Sequence, residues 1–488
     1  MFVDGAWTGS LSGETFTAES PATGETIATV PKGGRQDAQL AIGAANRAAG
    51  SWSHATAFER AAALHRVADE IERRTEELAR TLTLDQGKPL REAQDEVEEL
   101  LLYWRNAAED GKRLEGRLPN SISPGKRVLL VRRPRGVIGV ITPWNWPYTM
   151  PAELIAPALA CGNTVVWTPA STTAVAGIAL AECVVEADLP PGVFNLVTGP
   201  GSTVGDEIAR NPGTHGVGFV GSTETGRLVA EAAVGKAAVL ELGGNGPVVV
   251  MDDADLDLAL EGVLWGAFGT TGQRCTATSR LVLHRKIHDR FLRRLADRVE
   301  KLRLGDGLLP ATDVGPMINE AALRNTMRYV AIATDEGDEL VTGGKRARRG
   351  KLAHGWFHQP TVFAGVKPKS RLEQEEVFGP VLAVIRVGSL DEAIRVNNDV
   401  RYGLSSALYT NDLRSAYQAI EDLDAGITYV NAPTIGAEAH LPFGGVKETG
   451  NGHREGGWQV YDFFSETKVA YIDCSGVLQR AQIDTYDV

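Results

Sequence analysis

Apolar residues change their spacing along this chain, and each change marks an element. Over 35–110 they recur at three and four, as in Leu64, Val67, Ala68 and Ile71. Glu59, Arg66, Glu70 and Arg73 lie between them, which predicts amphipathic helices. Asp85-Gln-Gly-Lys-Pro89 stops one helix, and another is expected from Glu92 to Glu109. Residues 1–30 read as short strands with a turn at Ser20-Pro-Ala-Thr-Gly24.

From 137 the pattern becomes short apolar runs alternating with helical stretches. Strands are expected at 137–141, 164–167, 193–197, 216–220 and 239–241, with helices at about 173–187, 202–210 and 224–234. The alternation restarts at Pro247-Val-Val-Val-Met251 and continues through 281–283, 381–385 and 427–430. Phe291, Leu295, Val299 and Leu302 predict one helix face between the first two. Strands alternating with helices imply parallel β-α-β units. The fold class is therefore α/β, with two successive open, mainly parallel domains that meet near Gly243-Gly244. A strand with charged ends, 127–133, stands apart. The stretch 463–471 alternates like an edge strand that pairs with 127–133 or with another subunit.

Composition narrows the function. A chain of 488 residues is too long for a single core. A net charge of −12 argues against nucleic acid as partner, and the basic run 345–351 reads as a solvated loop. Four scattered cysteines and nine histidines without ligand spacing predict no metal site and no disulfide framework. No signal peptide or membrane span is expected, so the expected location is cytoplasmic.

Chemistry concentrates between Glu241 and Cys275. Glu241-Leu-Gly-Gly ends a buried run and delivers a carboxylate at a turn. Gly272-Gln-Arg-Cys275-Thr276 presents a lone thiol beside Arg274, a cation that favours the thiolate. A nucleophile plus a carboxylate able to activate water suffices to form and hydrolyse an acyl intermediate. Taken singly, the cysteine fits a small buried hydrophobe and the glutamate a strand-end carboxylate. In Pro143-Trp144-Asn145-Trp146-Pro147, the Asn145 amide can donate to an oxyanion. Gly221-Ser222-Thr-Glu-Thr-Gly226 opens a helix whose N–H groups can meet a pyrophosphate.

Together, Glu-Leu-Gly-Gly followed by Gly-Gln-x-Cys at this spacing resembles the aldehyde dehydrogenase superfamily. Pro-Trp-Asn-x-Pro and Phe-x-Gly-Ser-Thr-x-x-Gly resemble its oxyanion and dinucleotide segments. Glu375-Glu376-Val-Phe378-Gly-Pro380, Phe443-Gly-Gly-Val-Lys and Arg454-Glu455 are similar to its later motifs, with His453 as an extra residue. The resemblance runs from about residue 20 to 471. It implies Cys275 as nucleophile, Glu241 as the base that activates water, and Asn145 with the Cys275 N–H at the oxyanion. It also implies Trp144, Thr168, Ser171, Gly221, Ser222, Gly226, Glu376 and Phe378 at the cofactor, and Trp146, Glu153, Arg274 and Thr276 in the aldehyde tunnel. The implied layout is a Rossmann-like cofactor domain of 1–115 and 135–243 and a catalytic domain of 244–446. A small β oligomerisation flap of 116–134 and 447–488 is expected to build a homodimer or homotetramer.

Where relatives carry a lysine and often a glutamate after the 164–167 strand, this chain has Thr168 and Ser171. Thr168 removes a cation that would favour a 2′-phosphate, and Ser171 removes an anion that would repel one. Both NAD and NADP are therefore expected to serve, NAD somewhat better. Succinic semialdehyde enzymes generally carry arginines where this chain has Glu153 and Gly269. A tunnel that tolerates a polar or cationic aldehyde, with Glu153 meeting its distal group, is one expectation; a plain Glu153–Arg274 pair or a solvated Glu153 is the other. A CoA-acylating relative would not need Glu241. A cysteine hydrolase would want a histidine base, and a retired enzyme acting as a binding protein would have lost one of Asn145, Glu241 and Cys275.

Overall fold

The computed structural model describes residues 1–476; residues 477–488, assigned above to the flap, lie outside the described residues. Four helices follow the N-terminal strands: Arg35–His54, Ala57–Arg73, Thr75–Gln86 and Leu90–Gly111. Their starts and stops are local. Thr56 accepts from the Glu59 N–H while the Glu59 carboxylate accepts from the Thr56 N–H, a reciprocal cap. Gly87 ends the third helix at φ 96°, a conformation that costs glycine little. The predicted face of Leu64, Val67, Ala68 and Ile71 is fully buried in the largest apolar cluster.

The first sheet runs in the order Ala237–Glu241, Gly216–Val220, Val137–Thr142, Thr164–Pro169, Phe194–Leu196, Phe2–Val3, Ala6–Trp7. Its first five strands are parallel, and the N-terminal hairpin adds an antiparallel edge. The second sheet runs Glu339–Thr342, Thr361–Ala364, Val381–Val387, Thr278–His284, Gly246–Val250, Ser405–Tyr409, Ile427–Val430. All of its pairings are parallel except that of Glu339–Thr342. Only a short linker separates Ala237–Glu241, which closes one sheet, from Gly246–Val250, which opens the next. A separate antiparallel ribbon joins Lys126–Pro134 to Ser465–Asp473, in register from Ser465 opposite Pro134 to Asp473 opposite Lys126. This is the intrachain pairing that the alternation in the tail suggested. Among the described residues no helix is long and apolar enough to cross a membrane.

Several elements differ from the expected pattern. Ser405–Tyr409 is buried along its whole length between two parallel neighbours, so it shows no alternation. Thr361–Ala364 and Glu339–Thr342 are four residues each, too short for a period to stand out. Leu302 packs on the second sheet's core from beyond the end of the helix His288–Val299. The helix expected at 202–210 is a wide turn, Gly201–Gly205, followed by Asp206–Arg210.

Candidate active site

Three neighbouring strands of the first sheet end at one place. Val137–Thr142 leads into Asn145, Gly216–Val220 into Gly221, and Ala237–Glu241 ends on Glu241 itself. Ligands of parallel sheets sit at the carboxyl ends of strands. The second sheet meets this edge with the loops that enter its central strands: Gly244 before Gly246–Val250, Cys275 before Thr278–His284, and Glu376 and Phe378 before Val381–Val387.

Two cavities open at this junction and share Asn145, Met150 and Cys275. The larger, about 810 Å³, is lined by Trp144, Gly221, Ser222, Gly243, Glu376 and Phe378, among others. A Cβ on Gly243 would come within 2.5 Å of Glu376 Oε2. Trp144 and Phe378 meet edge to face with ring centroids 5.3 Å apart, and Phe378 adopts φ 55°, a strained backbone in the wall of the cavity that Cys275 also lines. Gly244 N–H donates to Glu376 Oε1 at 2.9 Å, yet burial still pushes that carboxyl up to about 8. Gly221 starts the turn before the helix Thr223–Ala232, and Ser222 caps that helix by accepting from the Thr225 N–H. A cleft of this volume with free helix N–H groups at one wall fits a dinucleotide. Three expected cofactor residues do not line it. Thr168 is buried in its strand, the Ser171 hydroxyl donates to the Gly199 carbonyl, and Gly226 packs on Leu242.

The smaller cavity, about 170 Å³, takes in all four expected tunnel residues, Trp146, Glu153, Arg274 and Thr276. Arg274 does not pair with Glu153. Its guanidinium donates to Glu92 Oε2 at 3.2 Å and to the Thr270 hydroxyl at 2.9 Å, and lies against the rings of Trp146 and Trp265 at 4.8 and 5.1 Å. The sequence expectation that Arg274 would activate the thiol is corrected for the same reason: its charge is already spent. Burial, and next the Glu241 carboxylate, drive the Cys275 thiol well above its usual value.

Hydrogen bonds tie down the loop that carries Cys275. Thr270 and Thr271 sit at φ 49° and 59°. The Thr270 N–H and hydroxyl both donate to Glu92 Oε2 at 2.7 Å, and the Gln273 side-chain Oε1 accepts from the Ile318 N–H at 2.9 Å. A Cβ on Gly244 would stand 2.0 Å from the Cys275 carbonyl oxygen, so that backbone passage requires glycine. The Asn145 loop is held from below: buried Lys88 bonds Glu96 and donates to the Asn145 carbonyl at 2.9 Å, while Glu96 Oε1 accepts from the Tyr148 N–H at 2.9 Å.

Glu241 lines neither cavity. It is buried, lies beneath Gly444 and Gly445, and is raised by burial and then by Glu153. Glu153 is raised by burial and then by Glu455, and Glu455 by burial and then by Glu241. These three carboxyls therefore hold protons that isolated surface carboxyls would release.

Residue patterns alone did not point to Glu92, Lys88, Glu96 and Glu99. Glu92 and Glu99 lie on one face of a helix that was expected, but an acidic stripe on an amphipathic helix also fits a solvated face.

The profile of the aldehyde dehydrogenase family matches residues 7–470. The chain belongs to the aldehyde dehydrogenase family. It is 39% identical over 474 residues to the alpha-ketoglutaric semialdehyde dehydrogenase of Bacillus subtilis, covering 96% of this chain and 97% of that one. It is 38% identical to the NADP(+) succinate-semialdehyde dehydrogenase of Escherichia coli, covering 94% and 95%. The structure of Staphylococcus aureus betaine aldehyde dehydrogenase with NAD+ superposes with a TM-score of 0.96 at 35% identity, over 98% and 95% of the two chains. This aldehyde dehydrogenase oxidises an aldehyde to the carboxylic acid with NAD or NADP, through a cysteine thiohemiacetal and a thioester.

In the enzyme without ligands, a thiol held above its ordinary range has a thiolate fraction that grows tenfold per pH unit. Alkylation of Cys275 by iodoacetamide, followed by peptide mass spectrometry, is expected to accelerate about tenfold per unit between pH 7 and 9. A plateau below pH 8 would show an already ionised thiolate. Cys161 and Cys183, pushed by burial up to about 12 and about 11, are expected to stay unmodified over that range.

Proposed function

We propose that Cys275 is the nucleophile of this aldehyde oxidation. The observation that carries the assignment is that Cys275 and Asn145 stand together where the two cavities meet. The thiol can thus face an aldehyde on one side and a cofactor on the other. As its proton passes to solvent, Cys275 attacks the carbonyl carbon, and the Asn145 amide and Cys275 N–H donate to the developing oxyanion. The nicotinamide cofactor, when bound, accepts the hydride. Glu241 takes a proton from water that attacks the thioester, the acid leaves, and Cys275 is freed. Trp144, Gly221, Ser222, Glu376 and Phe378 bind the cofactor. The first sheet with its helices, over 1–115 and 135–243, is the cofactor domain, and 244–446 the catalytic domain.

Cys275→Ala is expected to abolish hydride transfer with cofactor affinity near wild type. Turnover within about tenfold of wild type, only ~1.4 kcal/mol in barrier, would remove Cys275 from that role. Glu241→Gln is expected to give one burst of reduced cofactor and then stall. A missing burst with intact cofactor binding would place Glu241 before hydride transfer.

The ribbon of Lys126–Pro134 and Ser465–Asp473 is the oligomerisation arm, together with the loop between Gly111 and Lys126. Support comes from Val131, Val469, Tyr471 and Ile472, apolar residues exposed on a two-stranded ribbon too thin to bury them. A homodimer or homotetramer formed through it covers these residues. Four unpaired cysteines fit a reducing, cytoplasmic location. Val469→Glu with Tyr471→Glu, two residues on one face of a strand, is expected to shift the protein to monomers on sizing. An unchanged oligomer would take the ribbon out of the interface.

A further inference from the structure

The smaller cavity holds more carboxyl groups than its cation can satisfy. Glu92, Asp95, Glu99 and Glu153 line it against Arg274 alone. Glu92, Asp95 and Glu99 fall three and four apart on the helix Leu90–Gly111, a spacing that places them on one side of it. Arg274 pairs with Glu92; it acts on Asp95 together with Arg91, and on Glu99 together with Lys88, only through space, and burial outweighs these cations in raising both carboxyls. Among the described residues Asp95 and Glu99 make no hydrogen bond or ion pair, and Lys88 is committed to Glu96. Two buried oxygens on this wall, Glu92 Oε1 and Glu153 Oε2, have no hydrogen-bond partner. A buried polar atom left unpaired is costly. Several in one cavity, all of them acceptors, describe a site that needs donors and positive charge.

We propose that the tunnel selects aldehydes carrying a distal primary ammonium, with Glu99 as the principal counter-charge. The proposal rests on Cys275 being the nucleophile at the inner end of this cavity. A primary ammonium brings three N–H donors to carboxyl oxygens that lack them. A quaternary ammonium brings none. It would depend on aromatic faces, and Arg274 already lies over the rings of Trp146 and Trp265. A distal carboxylate would meet Glu99 and Asp95 with no free cation to receive it. Glu153 is the lesser contributor: it is fully buried, and burial and then Glu455 raise it well above the usual carboxylate range. Burial, and then Glu153 and Glu96, hold the empty Glu99 carboxyl at about 8, and an arriving cation would draw off its proton.

The test compares ω-aminoaldehydes of three to six carbons with straight-chain alkanals of matched length, trimethylammonioacetaldehyde and 4-oxobutanoate, following nicotinamide reduction. At the best length, kcat/KM for the aminoaldehyde is expected to exceed that for its alkanal by at least about tenfold. The quaternary and anionic aldehydes are expected to fall below the aminoaldehyde. In Glu99→Gln, the ratio of aminoaldehyde to alkanal kcat/KM is expected to drop at least fivefold, mainly through KM. Asp95→Asn provides a second variant, with a smaller drop, should Glu99→Gln fold poorly. Good oxidation of alkanals with no preference for the ammonium at any length would overturn this proposal and leave the nucleophile assignment standing. A preference for 4-oxobutanoate or for the quaternary aldehyde would also overturn it. Failure of every aldehyde would count against the nucleophile assignment instead.

Discussion

One carboxylate oxygen, Glu92 Oε2, ties down the loop that carries Cys275. It accepts from the Thr270 N–H, the Thr270 hydroxyl and the Arg274 guanidinium. Glu92 belongs to a helix of the N-terminal half, whereas Thr270 and Arg274 belong to the loop that enters the second sheet. The bond therefore ties two parts of the chain together where the chemistry happens. It also sustains Thr270 and Thr271 in left-handed backbone, which the chain would not adopt unaided. Lys88 and Glu96 do the same for the Asn145 loop, from the same helix and the turn before it. The Cys275 loop and the Asn145 loop thus both hang on one helix, Leu90–Gly111, and the turn before it.

The electrostatics follow from this construction. The site buries its carboxyls and commits its cations: Arg274 to Glu92, Lys88 to Glu96, Arg280 to Glu373. What remains is a surplus of negative potential along Glu99, Glu153, Glu455, Glu241 and Glu376. Burial first, and then Glu241 and Glu376, raises the Cys275 thiol, and burial before any neighbour raises Glu241. A neutral resting thiol is also a poor target for stray electrophiles.

Much of this was legible in the sequence. The parallel strands showed as apolar runs between helical periods, and their ends carried Asn145, Gly221 and Glu241. The family motifs named the residues around Cys275, and the alternation at 463–471 anticipated the ribbon. The supporting contacts were not legible. Arg274 beside Cys275 suggested an activated thiolate because a sequence shows which charges are adjacent, not which are already paired. Glu92, whose partner lies far along the chain, read as one acid among several on an amphipathic helix. Thr168 and Ser171 occupied expected cofactor positions, yet the fold turns one inward and ties the other to Gly199. Ser405–Tyr409 went unseen because a strand covered on both faces loses its period.

The central claim is that Glu92 holds the nucleophile loop in its reactive geometry, and the hydride burst of a Glu92→Ala enzyme tests it most directly. Removing one member of a buried pair costs about 3–5 kcal/mol, here taken from the local order of the loop. With saturating aldehyde and cofactor, the burst rate is expected to fall at least about 100-fold, ~2.7 kcal/mol in barrier, with cofactor affinity unchanged. A burst within about twofold of wild type would show that Cys275 is positioned without Glu92 and would contradict the account.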